Sequence, residues 1–443
     1  MNLVWFRNDL RIRDNNSLRA ACDVDGDVIG VYFFDPRYYQ ESDFGMNLKI
    51  ELPFGKTGKF RARFIQQALE DLRSQLAGLN IPLLIYHDAP ENVIPQIVED
   101  FDIQHIFLQK EWTSDERDQE NSVGKALAKK RLKDKLKGHR VYDQFLFHPD
   151  DIPYNIHEIP NVFTGFRKKL EKESQVRAVV TMDGYSQKKL EVPETKIPSL
   201  KDLGLEEFET DSRSAFPWKG GETEAWNRLN HYFWETKKLQ YYKKTRNGLI
   251  GTDYSSKFSA WLAIGCISAR QIYQEVRRFE QEIQKNQDTY WLIFELIWRD
   301  FFKYVSLKHQ GKIFALGGIL NKDYEWKSNE RTLEKWMTGE TNIDFVNANM
   351  KELATTGFMS NRGRQNVASY WSMHQEQDWR IGAAYFEHIL IDYDVHSNYG
   401  NWMYNSGVGN DPRNRTFNIQ SQADRYDADH NYRKLWLEER LFN

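Results

Sequence analysis

Residues 378–404 read DWRIGAAYFEHILIDYDVHSNYGNWMY. Ile381, Ala384, Tyr385, Ile389 and Leu390 recur near helical spacing and predict an amphipathic helix in the first half. Asp392, Asp394 and Asn398 follow, flanked by Trp379 and Trp402. Two carboxylates and an amide in an apolar, aromatic context are costly to bury unless something pairs with them. A buried polar ligand would supply that partner; a solvated acidic loop is the plainer alternative. A calcium loop of the EF-hand type is excluded, because its sixth position is Ser397 instead of Gly and its twelfth is Met403 instead of Glu.

Outward from this stretch, nearly every segment after residue 220 carries apolar residues at helical spacing. Helices are expected over 225–235, 260–266, 269–285, 290–308, 332–338, 345–355, 364–371 and 380–390, so residues 216–443 form an all-α domain. Residues 146–215 break the pattern. Pro149, Pro153, Pro160, Pro193 and Pro198 fall among charged residues, which predicts a connector with one short helix over 163–172. Residues 1–145 alternate apolar runs at 3–6, 28–34, 83–86 and 105–108 with helical stretches, including the face Phe64, Ala68, Leu72 and Leu76. This is the signature of a parallel, Rossmann-like α/β sheet. No G-x-G-x-x-G follows the first strand; RNDLRIRDN does, at the sheet end where such folds bind ligands. Residues 54–63, FGKTGKFRAR, read as an exposed loop capping a helix, and 125–140 as a basic, solvated helix.

Composition bounds the function. The chain has 443 residues, 40% hydrophobic and 28% charged, with a net charge of −3, so a nucleic-acid surface must be a local basic patch. No apolar run approaches the ~18 residues of a membrane span. Cys22 and Cys266 are too far apart in sequence to suggest a disulfide framework or a metal site. They read as reduced core thiols of a cytoplasmic protein. Most of the 14 Trp lie after residue 210. Large rings can simply fill a helical core, or they can stack on a planar ligand.

Three motifs can carry chemistry. Tyr254–Ser259 reads YSSKFS, placing Ser255, Ser256, Lys257, Phe258 and Ser259 just before an apolar helix. Hydroxyls and a lysine there suit a phosphate, and capping by Ser255 or Ser259 is the simpler use. Glu295 and Arg299 sit four apart on an apolar helix beside Trp298, so they are expected to pair on one buried face. Asn361, Arg362 and Arg364 crowd Gly363 in MSNRGRQ. Arg364 could neutralise Asp392 or Asp394, or the segment is a surface turn.

Together and in this order, these motifs resemble the photolyase/cryptochrome family. TRNGLIGTDYSSKFS, ELIWRDFF, MSNRGRQNVAS and DYDVHSNYGNW are similar to its DASH branch. The resemblance implies an N-terminal α/β antenna domain, a connector and a helical domain holding FAD. It places Tyr242, Ser255, Ser256 and Ser259 on the pyrophosphate and ribose side, and Asn361, Arg364, Asp392 and Asp394 around flavin and adenine. Asn398 would face flavin N5, and Trp402, Trp379 and Trp326, running from flavin to surface, would form its electron relay. Glu295 and Trp298 would meet a flipped-out pyrimidine dimer, with Arg246 and Arg362 on flanking phosphates. Gln365 and Tyr404 replace the Met and Trp of duplex-repairing relatives, which implies single-stranded DNA as substrate. Glu111 stands where the family holds an antenna, 5,10-methenyltetrahydrofolate in this branch. The expected activity is light-driven dimer repair by a monomer. The alternatives are a blue-light receptor that binds nucleic acid without repair, and a flavoprotein oxidoreductase.

Overall fold

The apolar runs of the first third become parallel strands. In the computed structural model, which describes residues 1–39, 44–411, 413 and 416–438, these are β1 (Asn2–Trp5), β2 (Val28–Phe33), β3 (Leu83–Tyr86), β4 (His105–Gln109) and β5 (Lys137–Val141). They form one sheet in the order β3-β2-β1-β4-β5, all parallel, with Leu3 between Ile29 and Ile106. β1 is buried along its whole length, so it reads as an unbroken apolar run. Its side chains still alternate between two cores. Leu3 and Trp5 pack with Ile94 and Leu127, whereas Val4 and Phe6 join a core that continues to Trp261 and Phe301 of the helical domain. The sheet and the helices thus share one apolar interior.

Two local expectations are corrected. The basic helix over 125–140 ends early. A helix spans Ser114–Lys129, Arg131 takes a positive φ of 59°, and Lys137–Val141 becomes edge strand β5. That strand is largely solvent-facing, so no apolar alternation marked it. The 54–63 loop is also buried instead of exposed. Phe54, Lys56 and Thr57 are covered, and Gly58 N donates to His388 O at 2.8 Å. A Cβ at Gly58 would stand 2.7 Å from that oxygen, so the close approach needs glycine.

The connector contains the expected helix, Phe163–Glu173, and then no helix or strand until Glu222. It is tied down nonetheless. Gln187 receives Val28 N and donates to Val28 O, at 2.8 and 2.9 Å, and Leu200, Leu203 and Phe216 are buried. A buried charge cluster joins the two domains: Arg270 lies 2.6 Å from Asp143 and 2.9 Å from Asp14, and Arg11 lies 3.1 Å from Asp143.

Five helices of the second domain carry the site: α1 (Ser259–Ala263), α2 (Gln287–His309), α3 (Asn361–Ser369), α4 (Trp379–Ile389) and α5 (Val395–Asn405). α2 begins with a capping box at Asn286 and runs through the core. Its Asp300 carboxylate accepts Leu146 N at 3.0 Å and Phe147 N at 2.8 Å, which anchors the start of the connector. Residues 439–443 of the predicted helical domain lie outside the described residues. Cys266 is buried, whereas Cys22, expected in the core, is only half-buried. Among the described residues no helix is long and apolar enough to cross a membrane.

Candidate functional site

Two adjoining cavities collect the predicted cofactor residues. One, of ≈ 270 Å³, is lined by Tyr242, Ser255, Ser256, Lys257, Phe258 and Ser259 on one side. Glu295, Arg299, Asn361, Arg364, Asp392 and Asp394 complete it. The second, of ≈ 90 Å³, is lined by Asn398, Trp402 and Gln365. Asn361, Arg364, Asp392, Asp394 and Ser397 border both, so a single wall of polar side chains divides a bent space.

The serine loop is held from behind. α1 is capped by Phe258 with no side-chain cap, so Ser255 and Ser259 are not used as caps. Lys257 takes a φ of 64°, and the chain is pinned there by Arg228. Arg228 donates to Ser255 O at 2.9 Å and Ser256 O at 3.1 Å, and pairs with Asp253 at 2.6 Å. Sequence reading missed Arg228, which lies in a segment with no motif. The Lys257 ammonium is buried over the Tyr254 ring, 3.3 Å from its centroid, with no hydrogen-bond partner among the described residues. Burial holds its pKa well below the usual lysine value.

The acids at the end of α4 are paired, as their burial requires. Arg364 Nη2 lies 2.9 Å from both oxygens of Asp392. Asp394 caps α5 by accepting Ser397 N at 2.8 Å and receives Lys303 Nζ at 2.8 Å. Burial alone would raise the Asp394 pKa; Lys303, His396 and Arg299 outweigh it and hold the carboxylate charged. Lys303 was not anticipated, although it lies one turn beyond Arg299 on the same face of α2. Asn398 donates its amide to Ala383 O at 2.9 Å, and among the described residues no donor meets its amide oxygen, which lies beside the second cavity.

The expected Glu295–Arg299 pair does not form. Glu295 pairs with Arg246 at 2.9 Å, and Arg299 donates to Gln144 O at 2.5 Å and Leu262 O at 3.1 Å. Backbone carbonyls from the end of the α/β domain and from α1 out-compete the carboxylate for Arg299. Burial raises the Glu295 pKa, partly offset by Arg246.

The remaining predicted residues sort into groups. Trp402 and Trp379 are buried, and Trp326 is partly exposed. A Cβ on Gly382 would stand 2.3 Å from Trp402, so α4 and α5 meet through that ring. Arg362 donates to Gln365 at 2.8 Å and Asn247 at 3.0 Å, which ties the Arg246 segment to α3. Trp298 was expected to offer a stacking face. One face is taken by Phe163 of the connector helix, ring centroids 3.7 Å apart, and Tyr404 meets it edge-on at 6.0 Å. Glu111 lies apart from this group, in a cavity of ≈ 180 Å³ between the domains, where it receives Gln109 Nε2 at 2.7 Å. Burial pushes its pKa up to about 7. The ends of β1 and β4 line the same cavity through Arg7 and Gln109, at the point where the strand order reverses.

The chemistry of this donor set fits a flavin dinucleotide. The unsatisfied Lys257 ammonium and the uncapped serine hydroxyls suit an anion. Asp392 and Asp394 can accept from ring and ribose donors, and Trp402 Nε1 is buried without a partner among the described residues. Comparison with known proteins agrees. Residues 2–190 match the family model for DNA photolyase, and residues 291–440 match the FAD binding domain of DNA photolyase. A cryptochrome DASH from Gloeobacter violaceus is 45% identical over 438 residues, covering 99% of this chain and 85% of that protein. One from Xenopus laevis is 43% identical over 441 residues, covering 99% and 82%. The crystal structure of a Synechocystis cryptochrome superposes with a TM-score of 0.91 at 42% identity, over 99% of this chain and 88% of that one.

Proposed function

We infer, from a chain that belongs to the DASH branch of the photolyase/cryptochrome family and carries its FAD-binding domain, a light-driven repair of cyclobutane pyrimidine dimers in single-stranded DNA. The observation that carries this reading is the position of Glu295. Its carboxyl lines the same cavity as Ser256, Arg364 and Asp392, so a base that reaches Glu295 lies beside whatever those residues hold. When bound there, reduced FAD supplies an electron under light and takes it back after the cyclobutane ring has split.

The chain's own residues do the rest. Glu295, whose pKa is raised by burial, accepts from or donates to the base edge according to its proton. Arg246, which lines the cavity beside Glu295, and Arg362, which bridges Asn247 and Gln365, meet the flanking phosphates. Asn398 offers its free amide oxygen to a ring N–H, and the aromatic wall of Trp402 and Phe386 excludes water.

The preference for single strands rests on the dimer pocket. Extruding a base from a duplex costs a few kcal/mol. With Phe163 already covering one face of Trp298, and with Gln365 and Tyr404 standing where duplex-repairing relatives carry Met and Trp, a flipped dimer has less stacking surface to offset that cost. The interdomain cavity around Glu111 supports 5,10-methenyltetrahydrofolate as antenna, since a carboxylic acid titrating near 7 can hydrogen-bond a pterin ring. The test is loss of dimers from irradiated oligothymidine, single-stranded and duplexed, with reduced protein under blue light. Repair of the single strand at a higher yield than the duplex is expected. No light-dependent loss from either overturns the assignment.

A further inference from the structure

Tyr399 sits between a relay tryptophan and a buried base. Its ring meets Trp379 edge-on, centroids 6.3 Å apart at 77°. Its hydroxyl donates to Glu387 Oε2 at 2.9 Å. Tyr399 is 1% exposed and Glu387 7%. The Trp379 indole N–H, by contrast, is bonded to the Leu316 carbonyl at 2.9 Å. A backbone carbonyl is too weak a base to take a proton, so an oxidised Trp379 stays a radical cation and remains a strong oxidant. A phenol hydrogen-bonded to a carboxylate can lose its electron and its proton together, which makes it far easier to oxidise than a phenol alone.

We propose that Tyr399 is a redox-active side chain, which reduces the oxidised Trp379 and passes its phenolic proton to Glu387. This rests on the reading of Trp402 and Trp379 as an electron relay to photoexcited FAD, which carries the oxidising equivalent to Trp379, where Tyr399 competes with Trp326 for it. One electron moves from Tyr399 to the Trp379 radical cation, restoring the neutral indole. The O–H proton moves to Glu387, leaving a neutral phenoxyl radical and a neutral carboxylic acid. One positive and one negative charge disappear together, so the buried site ends without net charge.

The surroundings of Glu387 suit that task. Burial lifts its pKa to about 7, against the opposing pull of Lys56 and Arg61, so neither protonation state is strongly disfavoured. Glu387 and Tyr399 also line the cavity between the domains, together with Lys56 and Asp115, which pair with each other. That cavity gives the proton a polar way out. A buried tyrosine that needed only a hydrogen-bond acceptor would be as well served by an amide, at a lower cost of burial.

The experiment uses the oxidised FAD holoprotein, flash-excited and followed by transient absorption and by electron paramagnetic resonance, with ring-deuterated tyrosine incorporated. The tryptophan cation signal is expected to decay into a phenoxyl signal that narrows on deuteration, more slowly in D2O. Tyr399→Phe and Glu387→Gln are both expected to lose the phenoxyl signal and prolong the tryptophan cation. Glu387→Gln keeps an acceptor oxygen for the hydroxyl, so it tests the base without removing the hydrogen bond, and flavin content reports folding of both variants. A tryptophan cation with the same decay in wild type and Glu387→Gln, and no deuterium-sensitive signal, overturns the role of Tyr399 while leaving the relay intact. No tryptophan cation in the wild type overturns the relay and the inference together.

Discussion

Arg364 and Asp392 form an ion pair in which a single guanidinium nitrogen stands 2.9 Å from each carboxylate oxygen. The pair joins α3 to the segment after α4, and both residues line the two adjoining cavities. It therefore fixes the dividing wall of the bent space. Asp392→Asn leaves Arg364 without its charge partner and removes an acceptor from the cavity. FAD affinity should fall by about 2 kcal/mol, on the order of thirtyfold in Kd. Fluorescence titration of apoprotein measures it.

Trp402 reaches α4 only because residue 382 is glycine. Trp402→Phe should abolish photoreduction while FAD stays bound, since an oxidisable indole is replaced by a ring of similar shape. Gly382→Ala is the subtler variant. Its methyl group would stand 2.3 Å from Trp402 and must displace the ring. Photoreduction should slow without being lost. Stopped illumination of the oxidised protein under anaerobic thiol follows both rates.

Glu295 and Arg246 are paired, so each restrains the other before substrate arrives. Arg246→Ala should weaken single-stranded DNA binding and lower the salt slope of log K by about 1, as expected for one lost phosphate contact. Glu295→Gln should leave that slope unchanged and lower the quantum yield of repair. Binding isotherms at several salt concentrations separate the two effects.

Glu352 supplies a pH test of the core behind the serine loop. Burial raises its pKa from 4.5 to about 7, against a hydrogen bond from Tyr432 and the charges of Lys257 and Arg364. A carboxyl with a raised folded-state pKa stabilises fully below its unfolded value, and that stability is lost as pH rises through the folded value. The apoprotein should therefore lose stability relative to Glu352→Gln as pH climbs from about 4.5 to about 7. The relative loss is at most about 3 kcal/mol. Paired denaturant melts of the two proteins at each pH measure it.

The helical domain was legible because its chemistry is written in contrast. Acids and an amide among tryptophans imply a buried partner, and the motif order identified the family. Strand β5 was not legible, because an edge strand that is largely solvent-facing carries no apolar period. The Glu295–Arg299 spacing was read correctly as one helix face, but helix geometry alone cannot say that carbonyls at Gln144 and Leu262 claim the guanidinium. Arg228, Lys303 and Glu387 were missed for a common reason. Each acts on a residue distant in sequence, and nothing beside it in the chain marks the contact.

The central claim is that the space bounded by Ser256, Arg364, Asp392 and Asn398 holds FAD. Titrating FAD into apoprotein, with flavin absorbance and fluorescence recorded together, tests it most directly. The account predicts saturable uptake of one FAD per chain, weakened in Asp392→Asn and accompanied by loss of free-flavin fluorescence. Flavin that remains free in solution, or uptake unchanged by substitutions throughout that wall, would contradict it.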